Sequence, residues 1–184
     1  PNRRYEIHEL LRQFALDAVG QQMIEIRDAH SVYYCAFLAQ CEIDLKGAYQ
    51  QAAMAAIEAD EENVRTAWQW AIKREQWAQL SQALDSLGLF YLRRSRLHEG
   101  VALCRLAMEQ LAMLSLAENV DGQVGGRQPL AVRCQVRLLI WQSIFQRQLR
   151  EQVAAQLALK QAQEILTSHP LVGLDTRPEQ AQLL

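Results

Sequence analysis

Hydrophobic residues recur at steps of three and four over most of this chain, and the stretches are long enough to be helices. Arg4 to His8 alternate in a way that permits a short strand, and Glu9 to Val19 follow with Leu10, Leu11, Phe14 and Ala18 on one helical face, ended by Gly20. From about Gln22 to Leu45 the stripe is Ile26, His30, Tyr33, Tyr34, Phe37, Leu38, Cys41 and Leu45, which predicts a long, one-sided, aromatic-rich helix broken at Gly47. A short helix from about Gln50 to Ala59 leads to Asp60, placed to cap the next helix, with Glu61 and Glu62 in that helix's first turn, where carboxylates favour the positive end of the dipole. Its stripe is Val64, Ala67, Trp68, Ala71 and Ile72. Trp70 lies about 200° round the helix from Trp68, off that stripe, so it either packs against a following helix or meets a partner.

The stretch from Trp77 to Leu114 organises the rest. Two helices joined by a short polar turn carry Leu87, Gly88 and Tyr91 on the first and Gly100, Cys104 and Ala107 on the second, a spacing that resembles a tetratricopeptide unit. Gly88 and Gly100 lack the side chains that would hold two backbones apart, and Leu84, Leu87, Tyr91, Leu97, Cys104 and Met108 are the expected seam. A mid-helix glycine costs about 1 kcal/mol against alanine, so a pair of them predicts close contact. One helix pair cannot bury both of its faces and needs neighbours.

A loop is expected over 118–129, where Asp-Gly and Gly-Gly dipeptides replace the apolar pattern. A second pair then runs from Leu130 to about Gln148 and from Glu151 to about Ser168. Cys134, Leu138, Trp141 and Phe145 form one stripe of its first helix, and Val136, Leu139 and Ile140 a second. Ala155 and Ala162 repeat the spacing of Gly100 and Ala107, and His169-Pro170 ends the unit. The pattern predicts an all-α, right-handed α-solenoid of antiparallel helix pairs: 1–20, 21–76 as linker helices, the pair 77–117, the loop 118–129, the pair 130–168, and a further repeat begun at 169–184. Thr176-Arg177-Pro178-Glu179 is a helix-start signature for that last element, and with no initiator methionine the chain reads as a piece of a longer protein.

Composition narrows the functional classes. Hydrophobic residues make up 50% and charged residues 22%, with a net charge of -2 and interspersed signs, so no electrostatic footprint for nucleic acid or a membrane surface is present. No apolar run approaches the roughly 18 residues of a membrane span, and a cytoplasmic protein is the expectation. Cys35, Cys41, Cys104 and Cys134 form no Cys-x-x-Cys pair and lie in or beside apolar stripes, as buried reduced thiols do.

Catalytic constellations are missing from the sequence. His8, His30, His98 and His169 lie in separate segments without a helical metal-ligand partner, and no nucleophile elbow, phosphate-binding loop or dinucleotide fingerprint occurs. The expectation is no enzyme, and no cofactor or metal, in this chain.

The opening residues carry a more specific signal. Arg4-Tyr5-Glu6-Ile7-His8-Glu9-Leu10-Leu11-Arg12-Gln13-Phe14-Ala15 resembles the segment that closes the winged-helix subdomain of STAND-class signalling ATPases, the group that includes NB-ARC proteins. The likeness continues through His30, Tyr33 and Tyr34 and through Glu58-Ala59-Asp60-Glu61-Glu62-Asn63-Val64-Arg65-Thr66-Ala67. The resemblance implies that residues 1–20 end such a subdomain and that the helices after it are the sensor repeats. It also implies that His8 contacts the β-phosphate of ADP in a parent protein that uses ADP or ATP with Mg. No nucleotide-binding loop or Walker-B strand is present, so this chain alone cannot hold the nucleotide.

The leading reading is therefore a non-catalytic regulatory or sensor repeat region. It meets a protein segment or the parent's own ATPase domain through polar positions on the first helix of each pair: Gln82, Asp85, Arg93, Arg137 and Gln142, with Trp70 as a further contact. A homodimer through the exposed N-terminal helix is an expected option, because Leu10 and Phe14 would lack their winged-helix neighbour. A free-standing tetratricopeptide adaptor and the helical signal-sensing part of a bacterial transcription regulator are the alternatives.

Overall fold

The computed structural model describes residues 22–120, 129–168 and 177–182. The expected strand at Arg4 to His8, the helix at Glu9 to Val19 with Leu10 and Phe14, His8, and the turn at His169-Pro170 lie outside the described residues. Every described element is a helix: α1 Gln22–Lys46, α2 Gln50–Ala59, α3 Glu61–Lys73, α4 Trp77–Arg93, α5 Leu97–Val120, α6 Pro129–Gln148, α7 Gln152–Ser168 and α8 Arg177–Gln182. Of the stretch 118–129 expected as a loop, α5 takes in the residues up to Val120 and α6 starts at Pro129, whose fixed φ and missing N–H suit a first helical position; residues 121–128 lie outside the described residues.

Three of the turns share one geometry. Glu75, Ser95 and Arg150 have φ of 56°, 56° and 63°, the left-handed conformation that ends a helix. In each turn the next N–H reaches back over the last helical turn, Gln76 to the Ala71 carbonyl, Arg96 to Tyr91 and Glu151 to Gln146, all at 2.9 Å. The carbonyls of Gln76, Arg96 and Glu151 then accept the first bond of the following helix from Leu80, Gly100 and Ala155 at 3.0, 3.1 and 3.0 Å. A single residue thus separates the reversal from the new helix. The α2–α3 junction is different: Asp60 closes one helix and opens the next, and its side chain makes no backbone cap. The capping role read from the sequence is not what its carboxylate does; Oδ1 accepts a bond from Asn63 at 3.2 Å.

Packing links alternate helices as much as consecutive ones. α1 packs on α3 and on α4, α4 on α6, α5 on α6, and α6 on α7 and α8. The core is one large apolar cluster spanning α1 to α6 and a smaller one between α6 and α7. α6 serves both, with Cys134, Leu138, Trp141 and Phe145 in the first and Val136, Leu139 and Ile140 in the second. These are the two faces expected from its sequence. α3 buries Val64, Ala67, Trp68, Ala71 and Ile72, again the expected stripe.

Two expectations change. On α1 the buried face is Ser31, Cys35, Leu38, Cys41 and Leu45, while Ile26 and Tyr33 are 54% and 64% exposed. Leu38, Cys41 and Leu45 of the expected stripe lie in that face and Tyr34 and Phe37 pack against the core half-buried, while His30, Tyr33 and Phe37 each meet the Tyr34 ring, tilted or edge-on, at centroid distances of 4.8, 5.0 and 6.2 Å. The second change concerns the glycines, which do not bring α4 and α5 together. A Cβ on Gly88 would lie 2.3–2.7 Å from ring atoms of Trp141, and one on Gly100 would lie 2.7–2.9 Å from the Phe145 ring. Both glycines are sockets for aromatic side chains of α6, which sit one turn apart with centroids at 5.7 Å. The tight contact is real, but its partner is a third helix.

Candidate functional site

Polar side chains concentrate where α4, α6 and α8 meet. Arg133, Arg137 and Trp141 follow one another at four-residue steps along α6, and Ser81 and Asp85 do so along α4, so each set shares a helix face. The Arg137 guanidinium pairs with Asp85 at 2.7 Å and donates to the Ser81 carbonyl at 2.6 Å and to Ser81 Oγ at 2.8 Å. The Trp141 indole N–H donates to the other Asp85 oxygen at 2.9 Å. Burial alone would push the Asp85 carboxyl up; the Arg137 charge and the bonds from Trp141 and Arg137 outweigh it and hold the group below the usual carboxylate range.

The seam continues into α8. Glu179 is 3% exposed, accepts a bond from Arg133 Nε at 2.8 Å, and stands 4.0 Å from Arg137 Nε, all through Oε1. Its Oε2 is buried without a partner among the described residues. Asp85, Arg137, Glu179 and Arg133 thus alternate in sign across three helices.

A related arrangement joins α1, α3 and the α3–α4 turn. Asp28 Oδ1 accepts the Trp70 indole N–H at 2.8 Å and the Gln76 amide at 2.9 Å, with Arg74 at 3.5 Å, and the buried Ser31 hydroxyl bonds to Gln76 and the Ala67 carbonyl at 2.8 and 3.1 Å. Arg27 lies over the Trp70 ring at 5.0 Å. On the opposite edge Arg96 takes both oxygens of Glu61, at 2.6 and 2.5 Å, and bonds to Glu99, while Arg94 pairs with Glu58. The bonds to Glu99 and Glu61 raise the Arg96 pKa further.

The sequence-predicted contact residues are therefore of two kinds. Gln82 and Arg93 are exposed on α4, Arg93 within reach of the Gln50 amide, and Gln142 is half-buried on α6. Asp85 and Arg137 face each other inside the seam, 31% and 15% exposed. Trp70 is half-buried against the preceding α1, whereas the alternatives read from its sequence were a following helix or a partner. Sequence reading missed Ser81, Arg133 and Glu179, although the four-residue steps Arg133–Arg137–Trp141 were a visible signal. Hollows of about 220 and 370 Å³ lie side by side between α3 and α5, sharing Gln69 and Leu106.

The four cysteines are free and buried. Burial pushes the Cys35 thiol up to about 11 and the Cys134 thiol up to about 12. Protonated, enclosed sulfurs are poor nucleophiles and poor metal ligands. Among the described residues no cluster of His, Cys, Asp or Glu is placed to hold a metal ion, and no helix is long and apolar enough to cross a membrane. No protein-family description, curated protein or solved structure matches the chain.

Proposed function

We propose that this chain is a right-handed α-solenoid of tetratricopeptide-like helix pairs, α4 with α5 and α6 with α7, with α1 to α3 as the helices that lead into it. It serves without catalysis as the sensor or regulatory repeat region of a STAND-type signalling ATPase. The packing order supports this reading. Helices α1, α4 and α6 neighbour one another in succession, α3 touches α1 and α4, and α5 touches α4 and α6. Nearest-neighbour packing of that kind gives an extended polar face along the first helices, suited to a protein segment or to the parent's ATPase domain. The attachment to an ATPase rests on the likeness of Ile7-His8-Glu9 and of Glu58 to Ala67 described above.

The exposed positions Gln82 and Arg93 are the ones to perturb, because changing them leaves the α4–α6 seam intact. In the full-length protein, Gln82→Arg with Arg93→Glu is expected to change nucleotide turnover at least threefold and to leave the melting temperature unchanged. Unaltered turnover would remove this face from the regulatory mechanism. A parent protein without nucleotide turnover, but with partner capture that depends on the same two residues, would replace the reading by a free-standing adaptor.

A further inference from the structure

We infer that the paired arginines of α6 form a seat for a carboxylate side chain. Glu179 of α8 fills this seat as an intramolecular occupant, and an acidic residue on a partner protein segment takes it by displacing α8. The inference deepens the proposed function, since it rests on the first-helix face being a contact surface and names the chemistry that face recognises.

The two arginines differ in how they are held. Arg137 is fixed from behind by the Ser81 carbonyl and hydroxyl and by Asp85, and it is 15% exposed, so its guanidinium is positioned whether or not α8 is present. Arg133 is 24% exposed, and its side chain has Glu179 as its partner. Their residue spacing puts both on one side of α6, where the nitrogens facing the carboxylate are 2.8 and 4.0 Å from the same oxygen. Guanidinium groups favour two-pronged engagement of a carboxylate, one N–H on each oxygen.

Glu179 does not achieve that. One oxygen carries both contacts while the other is buried with no donor among the described residues, which forfeits part of what the seat can supply and costs desolvation. α8 is short, six residues, and it packs on α6. A peptide that engages both oxygens therefore competes with an occupant that engages one, and the occupant lowers the partner's apparent affinity by the fraction of time it is seated.

The occupant's own sequence is the probe. The peptide Arg-Pro-Glu-Gln-Ala-Gln-Leu-Leu, matching residues 177–184, is acetylated, labelled with a fluorophore and titrated into the full chain by anisotropy. A second peptide has glutamine at the glutamate position. Glu179→Ala vacates the seat, and Glu179→Gln does so with side-chain size kept. Both variants are expected to bind the acidic peptide at least tenfold more tightly than the wild type does. They should bind the glutamine peptide at least tenfold more weakly than the acidic one, and Arg133→Ala in either variant should abolish the difference.

Equal binding by wild type and variants overturns displacement by Glu179. Equal binding of the two peptides overturns carboxylate recognition, and no binding by variants with wild-type circular dichroism overturns the seat itself. None of these results depends on nucleotide turnover, so the seat can fail while the sensor reading stands, and the reverse.

Discussion

Gly88→Ala is the sharpest test of how α6 is attached. In a free helix the change is stabilising by about 1 kcal/mol. Here the new methyl carbon would lie 2.3, 2.4 and 2.7 Å from three carbons of the Trp141 ring, well inside van der Waals contact. The ring is 9% exposed and its N–H is tied to Asp85, so it cannot swing aside without stretching a bond to a charged acceptor. Overpacking a core costs about 1–3 kcal/mol and a hydrogen bond to a charged group is worth about 1.5–3 kcal/mol, so after the helical gain a net loss of about 1.5–5 kcal/mol is expected. For a chain of this size that is a fall in melting temperature of roughly 3–20 °C. Urea unfolding followed by circular dichroism measures it directly. Gly100→Ala should cost less, because its methyl carbon would meet Phe145 ring atoms at 2.7–2.9 Å. Combining Gly88→Ala with Trp141→Leu separates clash from propensity: with the large ring gone, the alanine should be neutral or stabilising. An alanine variant more stable than the wild type in the presence of Trp141 would refute the socket.

Two further outcomes follow from the seam and the turns. The Asp85 carboxyl is held low in the folded state, so its contribution is present above the unfolded carboxylate value of about 3.9 and is lost as pH falls through the folded one. Asp85→Asn should therefore cost about 2 kcal/mol at neutral pH, with the gap to wild type closing below about pH 4; a gap independent of pH would show that the charge is not what matters. At Ser95, φ 56° suits glycine, and Ser95→Gly should raise stability by about 1 kcal/mol, as should Arg150→Gly at φ 63°. A loss of stability at both would mean that these turns are not left-handed helix ends.

Helices were legible in the sequence because their evidence is local. Val64, Ala67, Trp68, Ala71 and Ile72 define a buried stripe without knowledge of what covers it, and the second stripe on α6 announced a helix packed on two sides. The partners of these faces were not legible. Gly88 signals that something approaches, yet nothing near it in the chain says that Trp141 does, and the tetratricopeptide spacing pointed to Gly100 instead. The α1 stripe misled at its edge for a related reason: Ile26 and Tyr33 are apolar enough to be core, but the helix turns the smaller Ser31 and Cys35 inward, where α3 and α4 come close. Among the contact residues, exposure could not be inferred from polarity. Asp85 and Arg137 looked like solvated positions and instead satisfy each other, whereas Gln82 and Arg93 are exposed.

The place of α6 between two apolar clusters bears on how the protein can be taken apart. A cut made between helix pairs, after α5, would divide no helix, yet it would empty the recesses over Gly88 and Gly100 and leave Asp85 without its indole and guanidinium donors. The natural boundary for an expressed piece falls after α7, where both faces of α6 are still covered. Helices α4 and α5 follow one another in the chain, but the unit of cohesion takes in α6 as well and is three helices wide.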